Sequence, residues 1–265
     1  DAPPLKPGLP KAGGRLIQRG FSMHHDALII GGSFAGLSAA LYLARARKSV
    51  CVVDAAAPRN RFAATSHGFF AQDGSDPQAM LQTMHRQLAA YPTVGFLTDT
   101  AVEACEDDGV FQVALRSGAL VTGKRLLLAF GISDVMPGTP GLAERWGTSV
   151  LHCPYCHGYE FSGRPLGVLK TSPLSHHQAM MISEWGPTTL YLDGGDLETE
   201  HRDALARRGI RIEPAAVDRL TGEGRNLSHI HLADGRSCPL EALFITPRNR
   251  LNSAIAEQIG CAIEA

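Results

Sequence analysis

A chain of 265 residues with 44% hydrophobic residues is long enough to bury the cores of about two domains. Its 25 basic and 26 acidic residues give a formal net charge of -1, which argues against nucleic-acid or anionic-lipid binding. The six scattered cysteines do not resemble a secreted disulfide scaffold, and no apolar run approaches the roughly 20 residues that span a bilayer, so we expect a soluble, cytoplasmic protein.

The N-terminal segment, residues 1–22, is rich in Pro, Gly, Lys and Arg and lacks the apolar run of a signal peptide. We expect it to be a disordered leader. Residues 26–54, DALIIGGSFAGLSAALYLARARKSVCVVD, run from an apolar strand through a glycine-rich turn into an Ala/Leu helix and then into a Val-rich strand. This order predicts a βαβ unit.

The glycine-rich turn GGSFAG matches the dinucleotide-binding pattern GxGxxG at Gly31 and Gly36, but its middle position is Ser33. The first glycine of the pattern makes the tight turn, and the last allows the helix to pack closely on the strand. Asp54 ends the next strand, where an acidic residue can accept hydrogen bonds from an adenosine ribose. Glycine turns also occur for packing alone, but the full order of elements favours a bound dinucleotide.

The elements that follow predict an antiparallel meander and then a second βαβ module. Asp76 and Pro77 are suited to start a helix over 77–91. Period-two alternation with glycines at the turns predicts the meander over 100–106, 110–118 and 120–131. After a joint rich in Gly and Pro, strands and helices alternate over 165–169, 174–185, 188–195, 197–209 and 210–214.

The stretch HCPYCH, residues 152–157, contains the pair Cys153 and Cys156. A CxxC pair is suited to disulfide exchange because two intervening residues hold the sulfurs in a small ring. Zinc would need four ligands, and the chain has no second CxxC. The CxxCH pattern also attaches c-type haem, and two inert buried thiols are a further alternative. We expect redox exchange and no metal site.

The order of these features resembles the low-molecular-weight thioredoxin reductase family of FAD-dependent pyridine nucleotide-disulfide oxidoreductases. The segments CPYCHGYE, RNRFAATSHGFFAQDG and LGVLKTSPLSHHQAM resemble a divergent branch that includes fungal dithiol oxidases. The resemblance implies an α/β fold with two Rossmann-like FAD/NAD(P)-binding domains, the second inserted in the first, and a homodimer. The FAD-binding domain would comprise residues 23–133 and 245–265, and the inserted NAD(P)-binding-like domain, with the CxxC pair, residues 134–244.

The resemblance also implies roles for individual residues. Cys156 would face the flavin, and Cys153 would exchange with the substrate. His157 stands where ordinary thioredoxin reductases carry an acidic residue, and an imidazole can take and return a proton near neutral pH. The implied FAD contacts are Gly31, Gly32, Ser33, Phe34, Ala35, Gly36, Asp54, Ala55, Arg59, Asn60, His67, Val102, Ala129 and Gly131.

The sequence departs from the family pattern in two places. The second module has no glycine-rich turn after its first strand, where Lys170 and Pro173 would hinder a phosphate, and Asp193 and Asp196 would repel the 2′-phosphate of NADPH. We therefore expect NADPH binding to be doubtful. The family returns to its FAD domain and ends with a Gly-Asp motif that touches the flavin, so the C-terminal part of that domain is expected to be truncated here.

These observations lead to an FAD-dependent enzyme that exchanges electrons with a small-molecule or protein dithiol. Because the nicotinamide features are weak, we expect a dithiol oxidase that uses dioxygen. An NADPH-dependent thioredoxin-disulfide reductase is the first alternative. A non-catalytic, flavin-free binding protein on the same fold is the second.

Overall fold

The computed structural model describes residues 24–263, so the predicted leader lies outside the described residues. The strands are β1 (His24–His25), β2 (Ala27–Ile30), β3 (Val50–Asp54), β4 (Val94–Thr98), β5 (Ala101–Asp107), β6 (Val110–Leu115), β7 (Leu120–Gly123), β8 (Leu126–Leu128), β9 (Ile132–Val135), β10 (Val150–Leu151), β11 (Leu166–Leu169), β12 (Thr188–Tyr191), β13 (Arg211–Glu213), β14 (Val217–Thr221), β15 (His229–Leu232), β16 (Ser237–Pro239), β17 (Ala242–Phe244) and β18 (Arg248–Leu251). The helices are α1 (Phe34–Arg45), α2 (Pro77–Ala89), α3 (Pro154–His157), α4 (Ser175–Ile182), α5 (Thr199–Arg207) and α6 (Ile255–Gln258), and 3₁₀ turns cover Arg59–Phe62, Ala143–Arg145 and Tyr159–Phe161.

The first module, β1–β8 with α1, α2 and α6, is built on a parallel sheet in the order β4-β3-β2-β8. Its central strands are buried on both faces, as their nearly continuous apolar sequences require. Ile29 and Val52 pack with the helices α1 and α2 on one face. Leu28 and Cys51 point to the other face, where β1 and the meander β5–β7 form a second sheet.

The second module, β10–β17 with α3–α5, repeats this plan. Its sheet has the order β10-β17-β11-β12-β13, and all of its strand pairs are parallel. Val168 and Leu190 pack with α4 and α5 on one face. Leu169 and Tyr191 pack on the other face against an antiparallel meander, β14–β16, that sequence analysis did not predict.

The chain passes from the first module to the second through β9 and returns through β18. These two strands pair antiparallel with each other, with Ile132 opposite Leu251 and Val135 opposite Arg248. After β18, α6 packs on the first module, where Ile255 is fully buried. The predicted domain limits stay a prediction, and the structure places this two-stranded ribbon at the joint.

The predicted α/β class with two Rossmann-like modules and an antiparallel meander is confirmed. Two details differ from the expectation, besides the second meander β14–β16. The strand β4 was not predicted, and the segment 120–131 divides between the meander, through β7, and the parallel sheet, through β8. The chain bends at Lys124, and this bend lets it pass from β7 in the meander to β8 in the parallel sheet. No helix within residues 24–263 is both long and apolar enough to cross a membrane.

Candidate active site

The glycine turn after β2 lies at the carboxyl end of the first sheet. Gly31 has φ +109°, and a Cβ there would collide with the backbone carbonyl of Ala129. A Cβ on Gly32 would lie 2.8 Å from the Cβ of Asp54. A Cβ on Gly36 would collide with the carbonyl of Gly31, so this last glycine brings α1 close to β2. The predicted reasons for the glycines at both ends of the pattern are therefore visible in the structure.

The start of α1 leaves backbone amides free. Ser33 is the N-cap residue, but its side chain makes no capping hydrogen bond, and the first turn contains no acidic residue. The N–H groups of a helix start carry a partial positive charge and are suited to bind a phosphate. Ser33, Phe34 and Ala35 all line an adjacent groove, so these amides border open space.

This glycine-turn groove has a volume of about 460 Å³. A narrow glycine cradle, an uncapped helix start and a carboxylate at the end of β3 together fit a dinucleotide. Residues that sequence analysis missed also line the groove, among them Arg116 and Asn252. The predicted residues that line it are Gly31, Gly32, Ser33, Phe34, Ala35, Asp54, Ala55, Arg59, Ala129 and Gly131.

Four predicted cofactor residues lie outside the lining of this groove. Gly36 is buried behind the turn. Asn60 lines a second cavity, described below. His67 lies between two carboxylates, and Val102 is exposed on β5. Their predicted contacts with the cofactor stay predictions.

The cysteine pair forms a disulfide at the start of α3. Cys153 is the N-cap residue, Pro154 occupies the first helical position, and Cys156 lies one turn on, with 5.4 Å between the two cysteine Cα atoms. The disulfide borders a cavity of about 220 Å³, the disulfide cavity, whose wall also contains His157. Its other lining residues are Arg59, Asn60, Phe62, Ala63, Asp134, Trp146, Gly147, Leu151 and His152.

Arg59 belongs to the walls of both the disulfide cavity and the glycine-turn groove. Its guanidinium donates two hydrogen bonds to Asp134 on β9, at 2.6 and 2.8 Å. The Asp134 side chain is only 5% exposed, so this charged pair replaces the water that the carboxylate lost on burial. The pair thus fixes the loop after β3 against the strand that leads to the second module.

His157 is half-buried beside the disulfide. Burial lowers the pKa of its imidazole below the usual 6.5, a neighbouring Glu160 raises it, and His67 lowers it further. The ring is therefore neutral at pH 7 and can accept a proton from an incoming thiol.

The segment before the disulfide is held by a buried amide that sequence analysis missed. Gln178 on α4 is 5% exposed, and its side chain donates to the carbonyl oxygen of His152 at 2.9 Å. Thr246 donates in turn to the Gln178 carbonyl oxygen at 3.1 Å. His152 Nδ1 lies 3.0 Å from the carbonyl of Ile245 and must donate to it, which leaves Nε2 as an acceptor.

The turn after β11 corresponds in position to the glycine turn after β2, but its amides are occupied. The hydroxyl of Ser175 accepts hydrogen bonds from the N–H groups of Thr171 and Ser172, both at 3.1 Å. The adjacent cavity, of about 420 Å³, has Lys170, Asp196 and Glu198 in its wall, and Asp196 is paired with Arg202 at 2.7 Å. The satisfied amides make this turn a poorer phosphate site than the turn after β2, and Lys170 offsets part of the negative charge of the wall.

Comparison with known proteins agrees with a dinucleotide-binding protein that carries a redox-active disulfide. Residues 25–265 match the family model of the pyridine nucleotide-disulphide oxidoreductases. The chain is 30% identical to thioredoxin reductase sirT of Leptosphaeria maculans over 89% of its own length and 77% of the relative. It is 39% identical to thioredoxin reductase tcpT of Claviceps purpurea over 69% of its own length.

The chain spans 61% of the tcpT protein and 39% of a probable thioredoxin reductase of Arthroderma benhamiae. Among solved structures, it is 43% identical to an oxidoreductase from Agrobacterium tumefaciens, with a TM-score of 0.86 and coverage of 91% of this chain and 81% of that one. It is 36% identical to HlmI, with a TM-score of 0.88 and coverage of 93% and 79%. The chain therefore belongs to the pyridine nucleotide-disulphide oxidoreductase family, among its thioredoxin reductase-like members, which use FAD.

Proposed function

We propose that this chain is an FAD-dependent oxidoreductase that takes electrons from a dithiol through Cys153 and Cys156 and works as a dithiol oxidase with dioxygen as the final acceptor. The observation that carries the proposal is a shared wall. Arg59 lines both the disulfide cavity and the glycine-turn groove, so the redox pair lies beside the groove that fits a dinucleotide. Electrons can then pass between sulfur and cofactor without a separate carrier.

The residues around the disulfide support a balanced exchange. A substrate thiolate attacks the sulfur of Cys153, the Cys153–Cys156 bond breaks, and Cys156 leaves as a thiolate. His157 accepts the proton of the substrate thiol and can return it to Cys156. The second substrate thiol attacks the mixed disulfide, the substrate leaves as a disulfide, and Cys153 takes the electron pair and the second proton. FAD, when bound, would supply a two-electron acceptor for the reduced pair, and dioxygen can take those two electrons with two protons to give hydrogen peroxide.

The choice of dioxygen over NADPH is supported by the turn after β11. Its N–H groups at Thr171 and Ser172 already donate to Ser175. The carboxylates of Asp196 and Glu198 line the cavity that a nicotinamide dinucleotide would enter. A bound phosphate would therefore have to break two hydrogen bonds and approach two carboxylates, of which only Asp196 is neutralised by an arginine, Arg202, and this disfavours NADPH.

The test is an anaerobic reduction followed by the admission of oxygen. FAD-loaded protein is mixed with a reduced small dithiol, and flavin absorbance and oxygen uptake are recorded. We expect loss of the oxidised flavin spectrum without oxygen, and catalytic oxygen uptake once air is admitted. Cys153→Ser and Cys156→Ser should each abolish both signals. Unchanged flavin absorbance in the wild-type protein would contradict the proposal, whichever way electrons flow.

An NADPH-dependent thioredoxin-disulfide reductase is the second candidate. The names of the relatives favour it, since sirT and tcpT are both called thioredoxin reductases. Rapid mixing with NADPH separates the two candidates. Fast flavin reduction by NADPH would support the reductase, whereas reduction by dithiols alone would support the oxidase.

The disulfide cavity also supports a proposal about the substrate. Phe62, Trp146 and Leu151 give its wall an apolar character, and its volume of about 220 Å³ suits a small molecule. We therefore expect a small apolar dithiol to react faster than a protein dithiol. A homodimer and a cytoplasmic location are further proposals, to be tested by sedimentation and by localisation of the tagged protein.

A further inference from the structure

A short loop of the first module, between β3 and α2, is closed on itself by its own hydrogen bonds. Ser66 and Ser75 pair across the loop, with Ser66 N donating to the Ser75 carbonyl at 2.8 Å and Gly74 N donating to the Ser66 carbonyl at 2.9 Å. The carboxylate of Asp73 accepts from Gly68 N at 2.9 Å. All of these contacts lie within the ten positions 66–75. They hold the loop, and with it His67, in a defined place.

His67 lies between two carboxylates from different parts of the molecule. Its Nδ1 is 3.5 Å from Asp73 Oδ1, within the loop. Its Nε2 is 3.5 Å from Glu160 Oε1, in the 3₁₀ turn that follows α3. The imidazole side chain is 22% exposed, whereas that of Asp73 is 70% exposed. The Glu160 side chain is 39% exposed, so the three side chains form a row in which the imidazole is the least exposed member.

Glu160 connects this row to His157. The two residues are three positions apart in a helical run that continues from α3 through Gly158 into the 3₁₀ turn, and residues at this spacing lie on the same face. The charges of Glu160 and His67 act on the His157 imidazole in opposite directions. Arg59 and Asp134 are paired with each other, and His152 is bonded to a backbone carbonyl. The other charged or titratable groups around α3 are His177, Glu184 and Arg208, which line a cleft beside Tyr155.

We propose that His67 is a positioning residue of the dithiol exchange, which acts with Glu160 on His157 while this imidazole holds a proton between the substrate thiol and Cys156. This inference rests on the proposed function, since His157 takes up a proton only when a substrate thiol attacks the cysteine pair. Each substrate dithiol gives two electrons and two protons to the pair, and dioxygen takes up two electrons and two protons as hydrogen peroxide. The proton on His157 therefore moves between sulfurs, and the charges beside His157 set how readily it is taken up and returned.

If the row acts electrostatically, the direction in which each substitution shifts the pH–rate profile can be predicted. A merely structural role would predict no such direction. The neighbouring His67 lowers the pKa of His157, so His67→Gln moves the acid limb of the pH–rate profile to higher pH. Glu160 attracts a proton to His157, so Glu160→Gln moves the same limb to lower pH. Opposite shifts of the acid limb in the His67 and Glu160 variants would show that both residues act on His157 through their charges.

The experiment uses the full chain loaded with FAD and a reduced small dithiol without oxygen. The reaction of the Cys153–Cys156 disulfide is stopped at intervals with iodoacetamide, and the alkylated cysteines are counted by mass across a pH series. Bound FAD can take one electron pair from the reduced cysteines, so flavin absorbance is recorded in the same samples, and the sum of alkylated pairs and reduced flavin follows the reaction of the disulfide. We expect His67→Gln to slow the reaction by up to about tenfold on the acid limb and to change it little at higher pH, less than the ~10²–10⁴-fold loss of a direct general base. His229→Gln, an exposed histidine on β15, is the matched control and should match the wild type.

The outcomes separate the two proposals. If the wild-type disulfide does not react with dithiols, the proposed function fails. If it reacts normally and His67→Gln behaves as His229→Gln does at every pH, only the role of His67 is overturned. If His67→Gln does not fold, Glu160→Gln decides the question, because its side chain is 39% exposed and its acid limb must still move to lower pH. An unshifted or oppositely shifted limb in that variant overturns the inference.

Discussion

The turn after β2 and the turn after β11 occupy the same place in two similar modules, between the carboxyl end of a central strand and the start of a helix. After β2, Gly31 adopts φ +109° and the first amides of α1 are left uncapped. After β11, Ser175 accepts the N–H groups of Thr171 and Ser172. One turn is open to a phosphate, and the other is already satisfied by its own side chain.

The comparison shows how little of a binding function follows from topology. Both modules have a parallel sheet, helices on one face and a meander on the other. Their turns nevertheless differ in what the amides can still bind, because a few side chains decide it. Three variants, each with a control, test how the two modules differ.

The largest effect is expected from Gly31→Ala, which closes the open turn. The new Cβ would meet the carbonyl of Ala129 in a backbone conformation that alanine rarely adopts. We expect a loss of about 1–3 kcal/mol in the free energy of unfolding and at least about tenfold weaker FAD binding. Urea unfolding and the flavin content of the purified protein measure the two effects.

Gly118→Ala is the control for this variant. Gly118 also has positive φ, +89°, but a Cβ there meets nothing within 4 Å. It should cost stability through strain while leaving FAD binding intact. Equal flavin content in the two variants would mean that the turn after β2 does not bind the cofactor.

The second effect is expected from Ser175→Ala, which opens the satisfied turn. The two N–H groups that lose their acceptor are half-buried, so water can replace part of the bond, and we expect a loss of about 1–2 kcal/mol in the free energy of unfolding. Ser183→Ala at the end of the same helix removes a hydroxyl that donates only to the Met180 carbonyl, and should cost less.

NADPH titration of the same proteins sharpens the contrast. The wild type should show no saturable binding, and Ser175→Ala should show at most weak binding because Asp196 and Glu198 remain in the cavity wall. Tight NADPH binding by the wild type would remove the difference between the two turns and favour the reductase function.

The smallest effect is expected in the pH dependence of the unfolding free energy. It arises from a buried histidine in the first module. His25 on β1 is 6% exposed, and neither ring nitrogen has a hydrogen-bond partner among the described residues. Burial lowers its pKa from the usual 6.5, the neighbouring His24 lowers it further, and Asp26 raises it. Below about pH 6.5 the unfolded state therefore binds more protons than the folded state, so stability falls as the pH drops from there toward the lowered pKa.

His25→Phe should flatten this dependence of the unfolding free energy in the acid range. Urea unfolding at several values between about pH 5 and 8 covers the window in which histidine titrates. The exposed His229, replaced in the same way, should leave the slope unchanged. A slope that persists in His25→Phe would assign the acid sensitivity to other groups.

The sequence predicted best the parts that have dense local signals. The βαβ unit 26–54 combines two apolar strands with glycines at fixed spacing, and Gly31 and Gly36 each lie against a backbone carbonyl that leaves no room for a Cβ. The strand β4 was missed because its residues are only partly buried and include Gly95. The second meander was missed because β14 buries only Leu220 among mostly polar residues, so its alternation is weak.

The site was predictable to the extent that its residues are close in the sequence. Cys153, Cys156 and His157 form one motif, whereas Arg116 and Asn252 reach the groove from distant segments that only the fold brings together. Gln178 is an amide on a helix without any local pattern, and its function depends on His152, 26 positions earlier. Such contacts follow from tertiary packing and leave no signal in a single sequence.

The position of the disulfide at the start of α3 has a further consequence. Cys153 is the N-cap residue and Cys156 lies in the helix, three positions on, with 5.4 Å between their Cα atoms. After the bond opens, the short connection keeps the two thiols near each other at a high effective molarity. Closing the bond again is therefore an intramolecular step, and the chain can store an electron pair and give it up without the help of a second thiol.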